Sequence, residues 1–143
     1  MAPSPCGSIR RSAHTRRTGR GPVPLKRLLR AGLEVGLGSD WGPKNPWENL
    51  ELAETHQFWG SGHRNDGPDH AVTREEALAM WTRDAAKTLD WEGIGTIRQG
   101  GWADLAIVDR NPLSCSLDEL AGTNVLRTLL GGRTVFDKDR GTT

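Results

Sequence analysis

The run Leu-Glu-Val-Gly-Leu-Gly-Ser-Asp at residues 33–40 constrains the fold more than any other feature of the chain. Its apolar residues predict a buried strand over residues 33–39 that ends at Asp40. The preceding residues 24–31 predict a short helix, with a proline at its start and a glycine just past its end. A helix followed by a glycine and a strand is half of a βαβ unit, so this part of the chain is predicted to be α/β.

Two further helices are predicted after this strand. The first spans residues 46–59 and opens with a proline and early glutamates, which the helix dipole favours. Residues 60–71 are rich in glycine, asparagine and aspartate and predict a loop. The second helix spans residues 74–89 and is the clearest in the chain, because Thr73 and Glu76 have the spacing of a capping box.

Strands replace helices in the last third of the sequence. Residues 102–108 form a short apolar run that predicts one strand. Residues 125–130 and 133–136 flank a Gly-Gly pair, which is a two-residue hairpin signal. Residues 116–119 predict one helical turn between these strands. The organisation is therefore α/β up to about residue 92 and mostly β afterwards.

Charge is distributed unevenly along the chain. Eight of the 19 lysines and arginines lie within residues 1–30, whereas all 18 acidic residues lie at or after Glu34. Residues 1–23 have few large apolar side chains, so they are predicted to form a disordered basic head. An alternative is a nucleic-acid arm, since arginines neutralise phosphates. The head has no interleaved aromatic residues and the chain has no nucleic-acid-binding motif, so no nucleic-acid partner is predicted.

The two cysteines indicate the cellular compartment. Cys6 and Cys115 do not make a disulfide framework, so both thiols are predicted to be free in a reducing, cytoplasmic environment. No apolar run approaches the length that crosses a bilayer, and no membrane partner is predicted. The acid-free, arginine-rich start resembles a transit peptide, but four prolines interrupt it.

The order of these segments points to a known family. The matching segments are residues 31–41, 73–78, 95–97, 101–109, 125–128 and 131–133. Together they resemble the C-terminal end of the amidohydrolase superfamily, in particular its amidohydrolase-3 or YtcJ-like branch.

The resemblance implies a fold of larger extent than one small domain. Family members are metal-dependent hydrolases built on a (β/α)8 TIM barrel beside a small β-sandwich. By this resemblance, residues 24–92 hold the last barrel strand and its helices, and residues 93–138 hold part of the sandwich. Residues 1–23 and 139–143 would be a head and a tail outside both.

The resemblance also implies a chemistry. Members hydrolyse carbon–nitrogen bonds of small molecules, other than peptide bonds, through a water activated by a divalent metal, with zinc expected. Asp40 matches the aspartate at the tip of the last barrel strand, which implies a metal ligand and proton acceptor. The family's His-x-His pair is absent from this sequence. The chain alone is therefore expected to hold no zinc. A start inside the gene or a truncated copy is the expected explanation for the missing pair.

Other residues have both functional and structural interpretations. Asp40 alone could be a turn cap after a strand. Trp41 follows it directly and is the aromatic residue that best fits a pocket mouth. His63 and His70 lie in the predicted loop and are candidates for substrate binding. With His56 they are spaced by seven residues, but this pattern lacks the second cluster typical of zinc sites.

Two hypotheses about activity remain open from the sequence. In the first, the chain derives from a hydrolase of amides or cyclic amides. In the second, it is a non-catalytic remnant that folds poorly or acts only by association. A parallel strand is normally paired on both edges, and residues 33–39 have no obvious parallel partner. The sequence therefore predicts self-association through exposed barrel and sandwich edges.

Overall fold

A computed structural model describes residues 23–40, 42–58 and 60–142. The predicted disordered head falls almost wholly on residues 1–22, which lie outside the described residues, as do Trp41 and Trp59. The elements are α1 (Leu25–Arg30), α2 (Pro46–Thr55), α3 (Arg74–Trp81), α4 (Arg83–Thr88), β1 (Leu105–Val108), α5 (Leu117–Leu120), β2 (Val125–Leu130), β3 (Arg133–Asp137) and β4 (Gly141–Thr142).

The predicted strand over residues 33–39 is wrong for the described part of the chain, where this segment forms no strand. It is held by Leu33 N–H, which donates to Leu28 O at 3.2 Å, and by Leu37 N–H, which donates to Met80 O at 2.9 Å. A Cβ at Gly36 would lie 2.9 Å from Cα of Ala85, so the segment lies directly against α4. A strand needs a neighbouring strand for its ladder, and the described residues place only helices here.

Two predicted helices have different bounds in the structure. Helix α2 ends at Thr55 and not at residue 59, because His56 adopts the left-handed conformation at φ 51°. The predicted helix 74–89 is two helices, α3 and α4, because Thr82 leaves helical geometry at φ −122° and ψ −86°. Its hydroxyl donates to Leu78 O at 2.7 Å, an alternative to regular helical hydrogen bonding. The capping box of Thr73 is confirmed.

The core is formed by helices from both halves of the sequence. Leu50 of α2, Met80 of α3 and Leu120 of α5 are fully buried. Leu25, Ala53, Val72 and Ala77 complete the cluster, against which Trp81 is partly buried. Because α5 lies between strands β1 and β2 in the sequence, the C-terminal region contributes directly to the helical core.

The C-terminal region forms an antiparallel sheet in the order β1-β2-β3-β4. The predicted Gly131-Gly132 hairpin is confirmed, with positive φ of 56° and 78° at the two glycines, as a type I′ turn requires. Strand β1 begins at Leu105 rather than residue 102, and β4 was not predicted. Within β1 to β3 the one buried residue is Asp137. None of the described helices is long and apolar enough to cross a membrane.

Candidate functional site

Asp40 lies on a tight turn at the end of the unpaired segment 33–39. Its φ is 43°, a left-handed conformation that aspartate adopts more readily than most residues. Gly42 N–H donates to Ser39 O at 2.7 Å and closes the turn around Asp40. The Asp40 residue is exposed, so its carboxylate is available to a solute.

A cavity of about 530 Å³ adjoins this turn. Its wall includes Asp40, Pro43, Asn49, Leu52 and Phe58. A second cavity of about 480 Å³ shares Asn49, Leu52 and Phe58 with the first, so the two spaces adjoin. A carboxylate beside apolar walls can accept a proton or bind a cation while the walls hold the apolar part of a small molecule.

Two asparagine side chains hold the loop that follows Asp40. The Asn45 side chain accepts a hydrogen bond from Trp47 N–H at 3.0 Å and caps α2. Its Nδ2 also donates to Ala121 O at 2.9 Å, which ties the loop to the end of α5. Asn49 donates from Nδ2 to Pro43 O at 2.6 Å and to Asn45 O at 3.0 Å.

The sequence analysis did not identify Asn49. An asparagine inside a helix carries no strong signal, because its helix propensity is ordinary. The Asn-Pro pair at residues 45–46 with a second asparagine four residues later could have indicated it.

His56 is buried and lines the second cavity. Its Nε2 donates to Val23 O at 3.2 Å, and its Nδ1 accepts from Asn65 Nδ2 at 3.0 Å. These partners define a neutral imidazole with its proton on Nε2. Burial, and to a smaller degree the nearby His70, lowers the pKa of His56 below its ordinary value of 6.5. His56 is therefore a structural histidine that is neutral at physiological pH.

The structure brings together His56, Asn65, His63 and His70 but places neither His63 nor His70 on the wall that Asp40 shares. His63 is exposed, and its Nε2 lies 3.2 Å from Asn65 Oδ1. The His70 ring centre lies 5.1 Å from that of His56, and its buried Nδ1 has no hydrogen-bond partner among the described residues. Trp41, the predicted pocket residue, lies outside the described residues.

The described residues do not fit a complete metal site. Across residues 23–40, 42–58 and 60–142, no group of three or more His, Cys, Asp or Glu side chains is arranged to hold a metal ion. Asp40 is at most one ligand, because one carboxylate does not supply the four donors of a typical zinc site.

Comparisons with known proteins relate the chain to enzymes of greater length. The N-substituted formamide deformylase of Arthrobacter pascens is 35% identical over 112 residues, which cover 76% of this chain and 20% of that protein. The 5-methylthioadenosine/S-adenosylhomocysteine deaminase of Halothermothrix orenii is 28% identical over 151 residues, 98% of this chain and 34% of the relative. The enzyme of the same name from Dictyoglomus thermophilum is 35% identical over 92 residues, 64% of this chain and 21% of the relative.

The chain thus spans between 20% and 34% of the length of these curated relatives. No solved structure gives a significant match to the chain. A family model described as the amidohydrolase family matches residues 8–136, which confirms the resemblance seen in the sequence. Because that match covers most of the chain, the protein belongs to the amidohydrolase family.

Proposed function

We propose that this chain carries the Asp40 part of a hydrolase that cleaves carbon–nitrogen bonds, other than peptide bonds, in small molecules. The observation that carries the proposal is the family match over residues 8–136, which includes Asp40 on its exposed turn. Relatives named as a deformylase and as deaminases support it, because removal of a formyl group from nitrogen and removal of an amino group both break a carbon–nitrogen bond.

The family implies a TIM-barrel fold. We propose which parts of this chain would belong to that barrel and which to the adjoining sandwich. Residues 24–92 would form the last barrel strand and its helices, with segment 33–39 pairing once neighbouring strands are present. Residues 93–138 would form part of a sandwich, and the antiparallel order β1-β2-β3-β4 supports this assignment. Active sites of such barrels lie where strands pass into the following loops, which would be the position of Asp40 in this assignment.

Asp40 is the proposed catalytic residue. An exposed carboxylate can accept a proton from an attacking water when the water lies within hydrogen-bond reach. Members of the family generally use a divalent metal, and zinc is the ion proposed for a whole enzyme with Asp40 as one ligand. Since the described residues do not complete a metal site, no step is assigned to the metal in this chain.

Three further residues are proposed for substrate binding. Trp41 follows Asp40 in the sequence and would lie at the mouth of the site. His63 and His70 belong to the loop that Asn65 ties to His56, and they would meet a substrate that extends beyond the cavity wall.

A second candidate function is association without activity of its own. Segment 33–39 has no strand partner among the described residues, and both cavities lie along this region. Exposed apolar side chains on the sheet, such as Ile107 and Leu130, favour self-association at its edges and faces. In this proposal residues 1–143 bind a further polypeptide or a second copy before any site is complete.

One pair of experiments separates these candidates. Residues 1–143 should contain no stoichiometric zinc by elemental analysis and should not turn over a panel of N-substituted formamides and cyclic amides. A chimera in which this chain replaces the matching segment of the Arthrobacter pascens deformylase should hydrolyse an N-substituted formamide. In that chimera Asp40→Asn should lower kcat by at least about a hundredfold, because asparagine keeps the shape but loses the basic oxygen.

Each result has a clear meaning. An Asp40→Asn chimera as active as its parent would reduce Asp40 to a turn residue. Zinc bound by the short chain and lost on changing His56, His63 or His70 would show a different site from the one proposed. Turnover by the short chain that depends on Asp40 would instead exclude the association candidate.

A further inference from the structure

The turn that carries Asp40 is supported by one side chain from the following helix. Asn49 lies one helical turn into α2, and both hydrogen bonds from its Nδ2 go back to the loop, to Pro43 O at 2.6 Å and to Asn45 O at 3.0 Å. The loop's own closing contact is the bond from Gly42 N–H to Ser39 O at 2.7 Å. One amide group therefore joins the loop to a helix whose core residue, Leu50, is fully buried.

We propose that Asn49 is a positioning residue for Asp40. A left-handed non-glycine residue such as Asp40 costs free energy and persists only where its surroundings fix it. The hydrogen bonds from Asn49 anchor the carbonyl groups that follow the turn, and so they hold the carboxylate of Asp40 at one place on the cavity wall. This inference rests on the proposed function, since it gives Asn49 a role in the same site.

The chemistry of the asparagine side chain suits this task. A terminal amide has two N–H donors, and both are used on carbonyl oxygens of one short loop. Aspartate would have the same shape but no donor, and leucine would fill the same space without any polar contact. Serine at residue 49 could still donate to the carbonyl four residues earlier, Asn45 O, and would keep one of the two bonds.

The position of Asn49 links the turn to the cavities as well as to the helix. Its side chain is among those that wall both the cavity beside Asp40 and the second cavity, which adjoins it. A residue that only stabilised the start of α2 would not need to reach Pro43, because Asn45 already caps that helix. The bond from Asn49 Nδ2 to Pro43 O therefore holds the loop directly after the turn.

Hydrogen exchange on residues 1–143 tests the proposal. The Gly42 amide reports directly on closure of the turn, and mass spectrometry with electron-transfer fragmentation can resolve it. Asn49→Leu should speed exchange at Gly42 at least about tenfold, since local opening sets this rate. Asn49→Ser should give an intermediate rate, because it keeps one donor.

A matched control lies elsewhere in the chain. Asn124 also uses Nδ2 for two bonds, to Asp109 Oδ2 at 2.9 Å and to Gly122 O at 3.0 Å. Asn124→Leu should leave exchange at Gly42 unchanged. If Asn49→Leu does not fold, the serine variant alone decides. Exchange at Gly42 equal to that of the parent chain in the serine variant, or in a folded leucine variant, would overturn the proposal.

Kinetics in the deformylase chimera add a measurement that helix stability alone would not change. Asn49→Leu should lower kcat about tenfold with KM within twofold, because misplacing a catalytic group slows the chemical step. An unchanged kcat with faster exchange at Gly42 would mean that Asn49 holds the loop without serving catalysis, and the positioning role would fall. A fully active Asp40→Asn chimera would refute the proposed function separately, since the exchange result does not depend on catalysis.

Discussion

The helical region and the sheet are held together in different ways. The helical region places Leu50, Met80 and Leu120 out of contact with solvent, in one cluster shared by four helices. In strands β1 to β3 the one buried residue is the charged Asp137, which pairs with Arg127 across the β2–β3 ladder. Helix packing therefore rests on apolar burial, whereas the sheet rests mainly on its hydrogen bonds. Free energy of unfolding should respond to substitution accordingly.

The largest expected effect is at Leu50 of the helical core, with Leu130 of the sheet as its matched control. Leu50→Ala leaves a cavity in the core and should lower the free energy of unfolding by about 2–5 kcal/mol. Leu130 on β2 is 56% exposed, so Leu130→Ala should lower the free energy of unfolding by no more than about 0.5 kcal/mol. Urea unfolding followed by circular dichroism measures both. Equal losses would show that the sheet has an apolar core of its own.

Arg74 should have the next largest effect because it connects the two regions. Its side chain is 10% exposed, pairs with Glu54 and donates to Pro112 O and Cys115 O, each at 3.0 Å. Arg74→Met should cost about 2 kcal/mol, because it leaves these partners without their charged donor. The matched control is Arg64→Met, whose exposed pair should contribute less than about 0.5 kcal/mol. A loss no greater than that of the control would mean that the regions are joined by apolar contacts alone.

A smaller loss is expected at the cap of α2. Asn45→Ala removes the acceptor for Trp47 N–H and the donor to Ala121 O, and should cost about 1 kcal/mol. Ser116→Ala, at the exposed start of the short α5, should cost about half of that amount, at the low end for caps. Thermal unfolding of both variants checks the order. A reversed order would place more of the stability in the C-terminal region than the burial pattern indicates.

The smallest expected effect is a pH dependence that belongs to the helical region. The pKa of His56 is lowered in the folded chain, so below about pH 6.5 the unfolded chain takes up a proton that the folded chain does not. Stability should therefore be full at neutral pH and fall as pH drops through the folded pKa. His56→Gln should flatten this slope in urea titrations between pH 7 and 5. An unchanged slope in His56→Gln would assign the pH dependence to other groups.

Local signals were enough to predict part of the fold. The capping box of Thr73 and the Gly131-Gly132 hairpin depend on residues within a few positions of each other, and both are confirmed. The predictions of a strand over residues 33–39 and of a continuous helix 74–89 were wrong. A strand depends on a distant pairing partner, and the pattern of apolar residues along 74–89 does not show that the backbone leaves helical geometry at Thr82. For the site, the sequence identified Asp40, whose exposed turn is observed while its role remains a prediction. It did not identify Asn49, because the side-chain amide of Asn49 matters through its hydrogen bonds to backbone carbonyl groups, and only the folded loop brings those groups near it.

The shared helical core has a consequence for where this chain can be cut. Residues 93–104 join the two regions, and Ile97 in this connection is 90% exposed. A protease that cleaves after Arg98 would break one peptide bond there. Leu120 would still be buried against Leu50 and Met80, so the two pieces should elute together on gel filtration until denaturant separates them. The connecting residues therefore only link the two regions covalently, and packing in the shared helical core holds the regions together.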